Sequence, residues 1–379
     1  MEIIDDLLAS DGWEGMRSIF GDTINLSAGD ARDVVNFYSA GLAFAKSRGD
    51  KAFEEAACGI LGFVFLIQRD YKKTIEYLGR ALDIAKEMGD KKKEADNCQS
   101  LGNVYLKVGN FDKVIEYQKV ALSLSVDLGE KRIEGKAYNG LGNAFRGLCR
   151  YKKAIDYYNR CLSVAKDLDD KSLQITAYYN LGRAFDNLSD YKQAEIFNNQ
   201  CLSIAKSLGD TSAEGLAYTN LGNVYSGLGD YIKSQEYYSR SLSIAKNTGN
   251  KGEMAYVYGR LANAFLNLGD TKKAMKYANL HLTGAKEMGI KDMEGAAYGT
   301  LGHIYNKLGD FNKSIEYFNR RLDICKAVED LEAEGGAYGG LGCVFDSLGD
   351  FEKAIDSHKQ HLRIAETIGD KDGGSSCIW

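Results

Sequence analysis

The apolar positions of this 379-residue chain fall in columns 40 residues apart. In rows of 40, leucine stands at Leu61, Leu101, Leu141, Leu181, Leu221, Leu261, Leu301 and Leu341, and an aromatic residue follows four places on, from Phe65 to Phe345. A second leucine column runs from Leu82 to Leu362. In the row 131–170, Tyr138, Leu141, Gly142 and Phe145 have the spacing of one helix face. Ile155, Tyr158, Leu162 and Ala165 do the same for a second helix, predicted from about Tyr151 to Leu168. Between helices lie Gly-Asp pairs such as Gly229-Asp230 and Gly309-Asp310. The glycine ends one helix in a left-handed conformation, and the aspartate caps the next. Asp169 and Glu329 stand where that glycine is expected, which predicts looser joints there.

A period that never slips predicts an all-α array of stacked helix hairpins, an α-solenoid, in place of two or three globular domains. Residues 51–370 hold eight full repeats, and residues 31–50 match the second half of one. Residues 1–30 lie outside the period, and their apolar spacing (Ile3, Ile4, Leu7, Leu8, then Trp13, Met16, Ile19, Phe20) predicts a helical cap or a docking segment. Residues 371–379 read as a flexible tail.

The column after the first leucine is Gly in seven rows and Ala262 in the eighth. Glycine inside a helix costs about 1 kcal/mol against alanine, so a close neighbour is expected there. The candidate partner is the small column Thr74, Val114, Ala154, Ala194, Ser234, Ala274, Ser314, Ala354.

A net charge of −5 argues against nucleic acid as a partner. The longest apolar run, 59–67, is too short for membrane insertion, and the acidic start is no secretory signal. The eight cysteines form no Cys-x-x-Cys pair and read as reduced, mostly buried thiols, which with the missing signal implies a cytoplasmic protein. Residues 335–342 resemble a phosphate loop only in glycine count, with no preceding strand and no Gly-Lys-Ser/Thr ending. No set of nucleophile, base and orienting group is recognisable, so neither catalysis nor a cofactor is expected. His358 and His361 share a helix face and could hold a metal, but no third ligand is evident, and His281 in the column of His361 favours packing.

The Leu-Gly-x-x-Tyr/Phe column with Ala in the second helix resembles the tetratricopeptide repeat, here longer than the usual 34 residues. That resemblance implies a right-handed superhelix binding extended peptide segments of other proteins in a concave groove. The wording of 217–225 and 229–238 is similar to the LGN/Pins long-repeat subfamily, which implies an adaptor in signalling or cell polarity, at the cell cortex or cytoskeleton through its partners. Gα binding is not expected, because the GoLoco motifs of that subfamily are missing from this sequence. A kinesin-light-chain-like cargo adaptor, or self-association and end-face docking, are the alternatives.

In the family the groove is lined by columns of the first helix, here Asn103, Asn143, Arg183, Asn223, Asn263 and His303, with Asn180, Asn220 and Arg260 one turn before and Arg146 one turn after. An asparagine amide offers two donors and an acceptor, enough to pair with a peptide backbone. The same asparagines could instead bond neighbouring helices or face water. Arg146, Arg183 and Arg260 could fork onto carboxylates of an acidic peptide or remain solvated, with Asp186 as a local partner. The Tyr138-to-Tyr338 ladder reads as core with its hydroxyls at a polar edge. The column Gln99 to Gly339 lacks the lysine that would clamp a C-terminal carboxylate.

Overall fold

The computed structural model describes residues 28–371, which form seventeen α-helices. The first, α1 (Ala28–Arg48), stands alone. Eight pairs follow: α2 (Lys51–Ile67) with α3 (Tyr71–Met88), α4 (Lys91–Lys107) with α5 (Phe111–Leu128), α6 (Lys131–Gly147) with α7 (Tyr151–Asp167), and α8 (Lys171–Asn187) with α9 (Tyr191–Leu208). The remaining pairs are α10 (Thr211–Gly227) with α11 (Tyr231–Asn247), α12 (Lys251–Asn267) with α13 (Thr271–Glu287), α14 (Lys291–Lys307) with α15 (Phe311–Val328), and α16 (Leu331–Leu348) with α17 (Phe351–Lys371). The apolar spacing of the expected cap helices, Ile3 to Phe20, and the tail beyond 371 lie outside the described residues.

The helices start where the sequence supplies a cap. Asp70, Asp90, Asp190, Asp210, Asp230, Asp270, Asp310 and Asp330 each accept a hydrogen bond from the backbone N–H three residues on. Each such cap contributes about 1 kcal/mol. Glu130, Arg150 and Ile290 occupy the same place without a side-chain cap bond.

The joints expected to be looser keep the standard turn. Asp169 and Glu329 adopt left-handed φ values of 50° and 58°, as do Arg69, Cys149 and Ser189. Packing on both sides therefore imposes the turn whatever residue occupies it. A side chain held in that region costs about 1 kcal/mol. Glu329→Gly should recover about that much stability, read as a rise in melting temperature; no rise would mean the turn is unstrained.

The chain divides into two compact units, Met1–Asn180 and Leu181–Trp379, the division falling inside α8. In each unit every hairpin packs on the next through shared apolar columns. One cluster of the N-terminal unit joins Leu78, Leu82, Cys98, Leu101, Val104, Ala121 and Ala137. In the C-terminal unit Tyr238, Leu242, Leu261, Phe265, Tyr298 and Leu301 belong to one cluster. The first-helix leucines from Leu61 to Leu301 are fully buried, each contributing about 2 kcal/mol. Successive first helices also touch each other: α4 with α6 in the first unit, and α10, α12, α14 and α16 in turn in the second. No comparable contact joins successive second helices among the described residues. The first helices are thus the more closely spaced layer and form the inner wall of each unit.

The packing of the column glycines corrects one expectation. The small column is buried, and in two rows its serine holds the glycine carbonyl: Ser234 Oγ donates to Gly222 O at 2.9 Å and Ser314 Oγ to Gly302 O at 2.8 Å. What excludes a Cβ is a larger side chain one turn further along the second helix. A Cβ on Gly62 would meet Leu78, on Gly102 Gln118, on Gly142 Tyr158, on Gly182 Asn198, on Gly222 Tyr238, on Gly302 Phe318 and on Gly342 His358. The row with Ala262 is the one that carries Ala278 at this place.

Candidate functional site

The inner wall carries its polar columns within two separate units. In the first, Asn103 is exposed on α4 and Asn143 is half-buried on α6. Asn143 Oδ1 accepts a 2.8 Å hydrogen bond from the Tyr158 hydroxyl of α7. Tyr158 fills the gap at Gly142, so the glycine column lets a second-helix phenol reach the wall. Arg146, half-buried on the same helix, has a buried Nε without a hydrogen-bond partner. Asn180 is buried, and its Nδ2 donates to Asn139 Oδ1 at 2.8 Å.

The second unit repeats the device. Asn223 Oδ1 on α10 accepts from the Tyr238 hydroxyl at 2.7 Å, and Tyr238 fills the gap at Gly222. Around it stand Arg183 and Asp186 of α8, and Tyr256 and Arg260 of α12. Burial raises the Asp186 carboxyl pKa against the pull of Arg260 and Arg183. Arg260 is exposed, donates from Nη2 to the Tyr256 hydroxyl at 2.6 Å, and lies 4.8 Å from that ring's centre. Five side chains from three helices thus meet at one place: Arg183, Asp186, Asn223, Tyr256 and Arg260. Asn220 is buried and donates to Asn198 Oδ1 at 3.2 Å. Asn263 is exposed, its Oδ1 accepting from Thr300 at 3.2 Å. His303 is also exposed, edge-on to Phe318 at 5.0 Å. Desolvation by surrounding protein, and then the Arg321 charge, lower its pKa.

Sequence reasoning missed Arg321 and the contacts of Thr219 and Glu253, and it read His281 only as packing, which its burial bears out. Thr219 Oγ1 donates to Glu253 Oε1 and contacts Ser241 Oγ, both at 2.7 Å, and burial raises the Glu253 pKa against these hydroxyls. His281, on α13, lies under Gly259, buried, with an unpartnered Nδ1. Arg321, on α15, lies against Gly299 and Gly336. The signal was present: glycine replaces larger residues at 259, 299 and 339 in the rows where His281, Arg321 and His361 replace smaller ones. The histidine pair read as a possible metal site splits between two gaps, His358 at Gly342 and His361 at Gly339. His358 Nε2 lies 3.3 Å from Asp346 Oδ2. Among the described residues no three His, Cys, Asp or Glu side chains group as a metal site.

In the tyrosine ladder Tyr178, Tyr218 and Tyr298 are buried and Tyr138, Tyr258 and Tyr338 half-buried; Lys326 Nζ reaches the Tyr338 hydroxyl at 3.3 Å. Five cysteines are buried free thiols, Cys149 is half-buried and Cys343 exposed. Burial pushes the Cys58, Cys161 and Cys201 thiols up to about 12. Among the described residues no helix is long and apolar enough to cross a membrane.

Known proteins with this architecture share the hairpin array. The structure of a Rap protein complexed with competence and sporulation factor superposes with a TM-score of 0.63 at 14% identity, covering 91% of this chain and 100% of that one. The apo quorum sensor NprR from B. thuringiensis gives 0.62 at 15% identity, covering 89% and 99%. A signal-transduction ATPase with a tetratricopeptide repeat sensor from Pyrococcus horikoshii gives 0.61 at 17%, covering 98% of this chain and 62% of that one. At such identities the likeness fixes the fold alone. No curated protein sequence matches the chain. The family described as tetratricopeptide repeat matches residues 134–207, 214–287 and 293–367, and a second description of the same repeat matches 98–132. With more than half of its length matched in this way, the chain belongs to the tetratricopeptide repeat family.

Proposed function

We propose that this protein is a non-catalytic scaffold that holds an extended segment of a partner protein against its first-helix wall. The observation that carries this reading is the set of asparagines pinned by second-helix tyrosines. Tyr158 and Tyr238 each occupy one asparagine oxygen, which fixes the amides of Asn143 and Asn223. Each keeps an NH2 that can donate to a peptide carbonyl whatever the peptide's side chains. Asn103, Arg146, Arg183, Arg260, Asn263 and His303 extend the contact surface within their own units. Asn180 and Asn220 are spent on Asn139 and Asn198, and in this reading they support the wall instead of touching the partner. Two similar folds add support: the Rap structure is a complex with competence and sporulation factor, and NprR is called a quorum sensor. The finer reading, an LGN-like adaptor in signalling or polarity, rests on the wording of residues 217–238, and a cytoplasmic location rests on the unpaired cysteines and the acidic start.

Joint replacement of Arg260 and His303 by alanine should keep the helix content of the array while removing partners captured by the wild type from cell extract. An unchanged partner list would move the site off this wall. A second reading, self-association through the C-terminal face, is favoured by Leu362. It is 59% exposed, whereas Leu82, Leu162, Leu242 and Leu322 of the same column are buried. Sedimentation independent of concentration would remove that reading.

A further inference from the structure

We propose that Arg321, delivered from a second helix through a glycine-lined gap, anchors a carboxylate side chain of the bound peptide. This deepens the peptide-binding reading and rests on it.

The delivery follows from a trade of volume between two facing columns. On the first helices one column runs Gln99, Asn139, Tyr179, Thr219, Gly259, Gly299, Gly339. Its partners on the second helices run Ala121, Cys161, Cys201, Ser241, His281, Arg321, His361. Where the first is large the second is small, and the last three rows invert the assignment. Four of these pairs touch: Thr219 with Ser241, and Gly259, Gly299 and Gly339 with His281, Arg321 and His361. Arg321 Nη1 lies 2.5 Å from where a Cβ on Gly299 would stand, and Nη2 lies 3.1 Å from that of Gly336. Its guanidinium therefore threads from α15 between the neighbouring first helices α14 and α16. His303 lies one turn along α14 from Gly299, and its pKa responds to this charge.

The guanidinium arrives without a counter-charge. Its Nε is buried and makes no hydrogen bond. Among the described residues no carboxylate lies within ion-pair distance of it, and Cys325 is a hydrogen-bonding neighbour. The adjacent Arg320 is the contrast: it pairs with Glu316 at 2.6 Å and lies over Tyr317 at 5.7 Å. A guanidinium stays charged at any physiological pH, and half-buried charge without a partner is costly. An incoming carboxylate accepts two parallel N–H bonds in the geometry this side chain presents. The imidazole one turn along α14 adds no charge near pH 7, because desolvation and then Arg321 lower the His303 pKa. The gap thus offers a single positive charge, which suits one carboxylate better than a doubly charged phosphate.

The test is selection of displayed random peptides on the full chain, run in parallel with Arg321→Gln, Arg321→Lys and Arg320→Gln, all checked for equal melting. Wild type and Arg320→Gln should enrich peptides with Asp or Glu at a fixed place. Arg321→Gln should bind such a peptide roughly tenfold or more weakly, with Arg321→Lys in between. Changing the peptide's acid to its amide should weaken wild type by a similar factor and leave Arg321→Gln unaffected. Inorganic phosphate should not displace the peptide. Enriched peptides without an acid preference, an unchanged affinity in Arg321→Gln, or displacement by phosphate would overturn the proposal while leaving the peptide-binding reading standing. Enrichment of no peptide at all would overturn both.

Discussion

Gly222→Ala should destabilise the C-terminal unit by about 3 kcal/mol, and the same change should become stabilising once Tyr238 is also alanine. A Cβ on Gly222 would lie 2.5 Å from two ring carbons of Tyr238. The ring has no room to retreat: Tyr238 is buried and its hydroxyl is held by Asn223. Without the ring, Gly222 is a helix-interior glycine, and alanine is then better by about 1 kcal/mol. The chain already contains the doubly substituted arrangement at Ala262 and Ala278. Tyr238→Ala alone leaves a large cavity, costing about 3–5 kcal/mol, but the double-mutant cycle removes that cost by difference. Urea midpoints of the four proteins give the coupling. A Gly222→Ala cost below about 1 kcal/mol in the wild-type background would mean that the gap is not what retains the glycine.

The second large effect is on pH. Between pH 6.5 and about 4 the fold should lose on the order of 3 kcal/mol through His281. Burial, and then Arg260, lower its folded pKa from 6.5 to about 4. Well above pH 6.5 the ring is neutral folded and unfolded, so pH has no effect through it there. Below 6.5 the unfolded chain takes up a proton that the folded chain refuses, and stability falls with pH until the folded ring titrates. His303, also lowered, adds to the loss in the same direction. The difference in stability between wild type and His281→Gln isolates the contribution. It should be constant above pH 7 and decline below 6.5, and a difference independent of pH would refute the assignment.

Both effects come from pairs of columns, and this marks where the sequence could be read and where it was misread. The 40-residue period, the first-helix leucines and the Gly-Asp turns each announce a helix or its end, because each acts through its own row. The glycine column announced close approach but not its partner. Thr74 and Ala154 drew attention as small residues, whereas the side chains that need the space are Leu78 and Tyr158. Nothing in a single column shows that; the Ala262–Ala278 substitution does, once the columns are compared in pairs. Arg321 escaped notice, and His281 was read only as packing, for the same reason, since their reach to the wall depends on glycines in another helix. The asparagines were legible as a polar column, but their division into pinned amides such as Asn223 and supporting ones such as Asn220 depends on which neighbour fills each gap. At Glu329 a residue unfavourable for the turn suggested looseness, yet packing of the flanking helices holds the turn in place.

The most direct measurement places a photo-crosslinking residue, one at a time, at Asn103, Asn263 and His303 on the first helices, and at Lys119 and Lys276 on the second. All five sites are exposed, so the folded array should tolerate each probe. After irradiation with a captured partner, the first-helix probes of the unit that holds it should give adducts mapping to a short continuous stretch of that partner, and the second-helix probes should give none. Adducts confined to Lys119 and Lys276 would contradict the account.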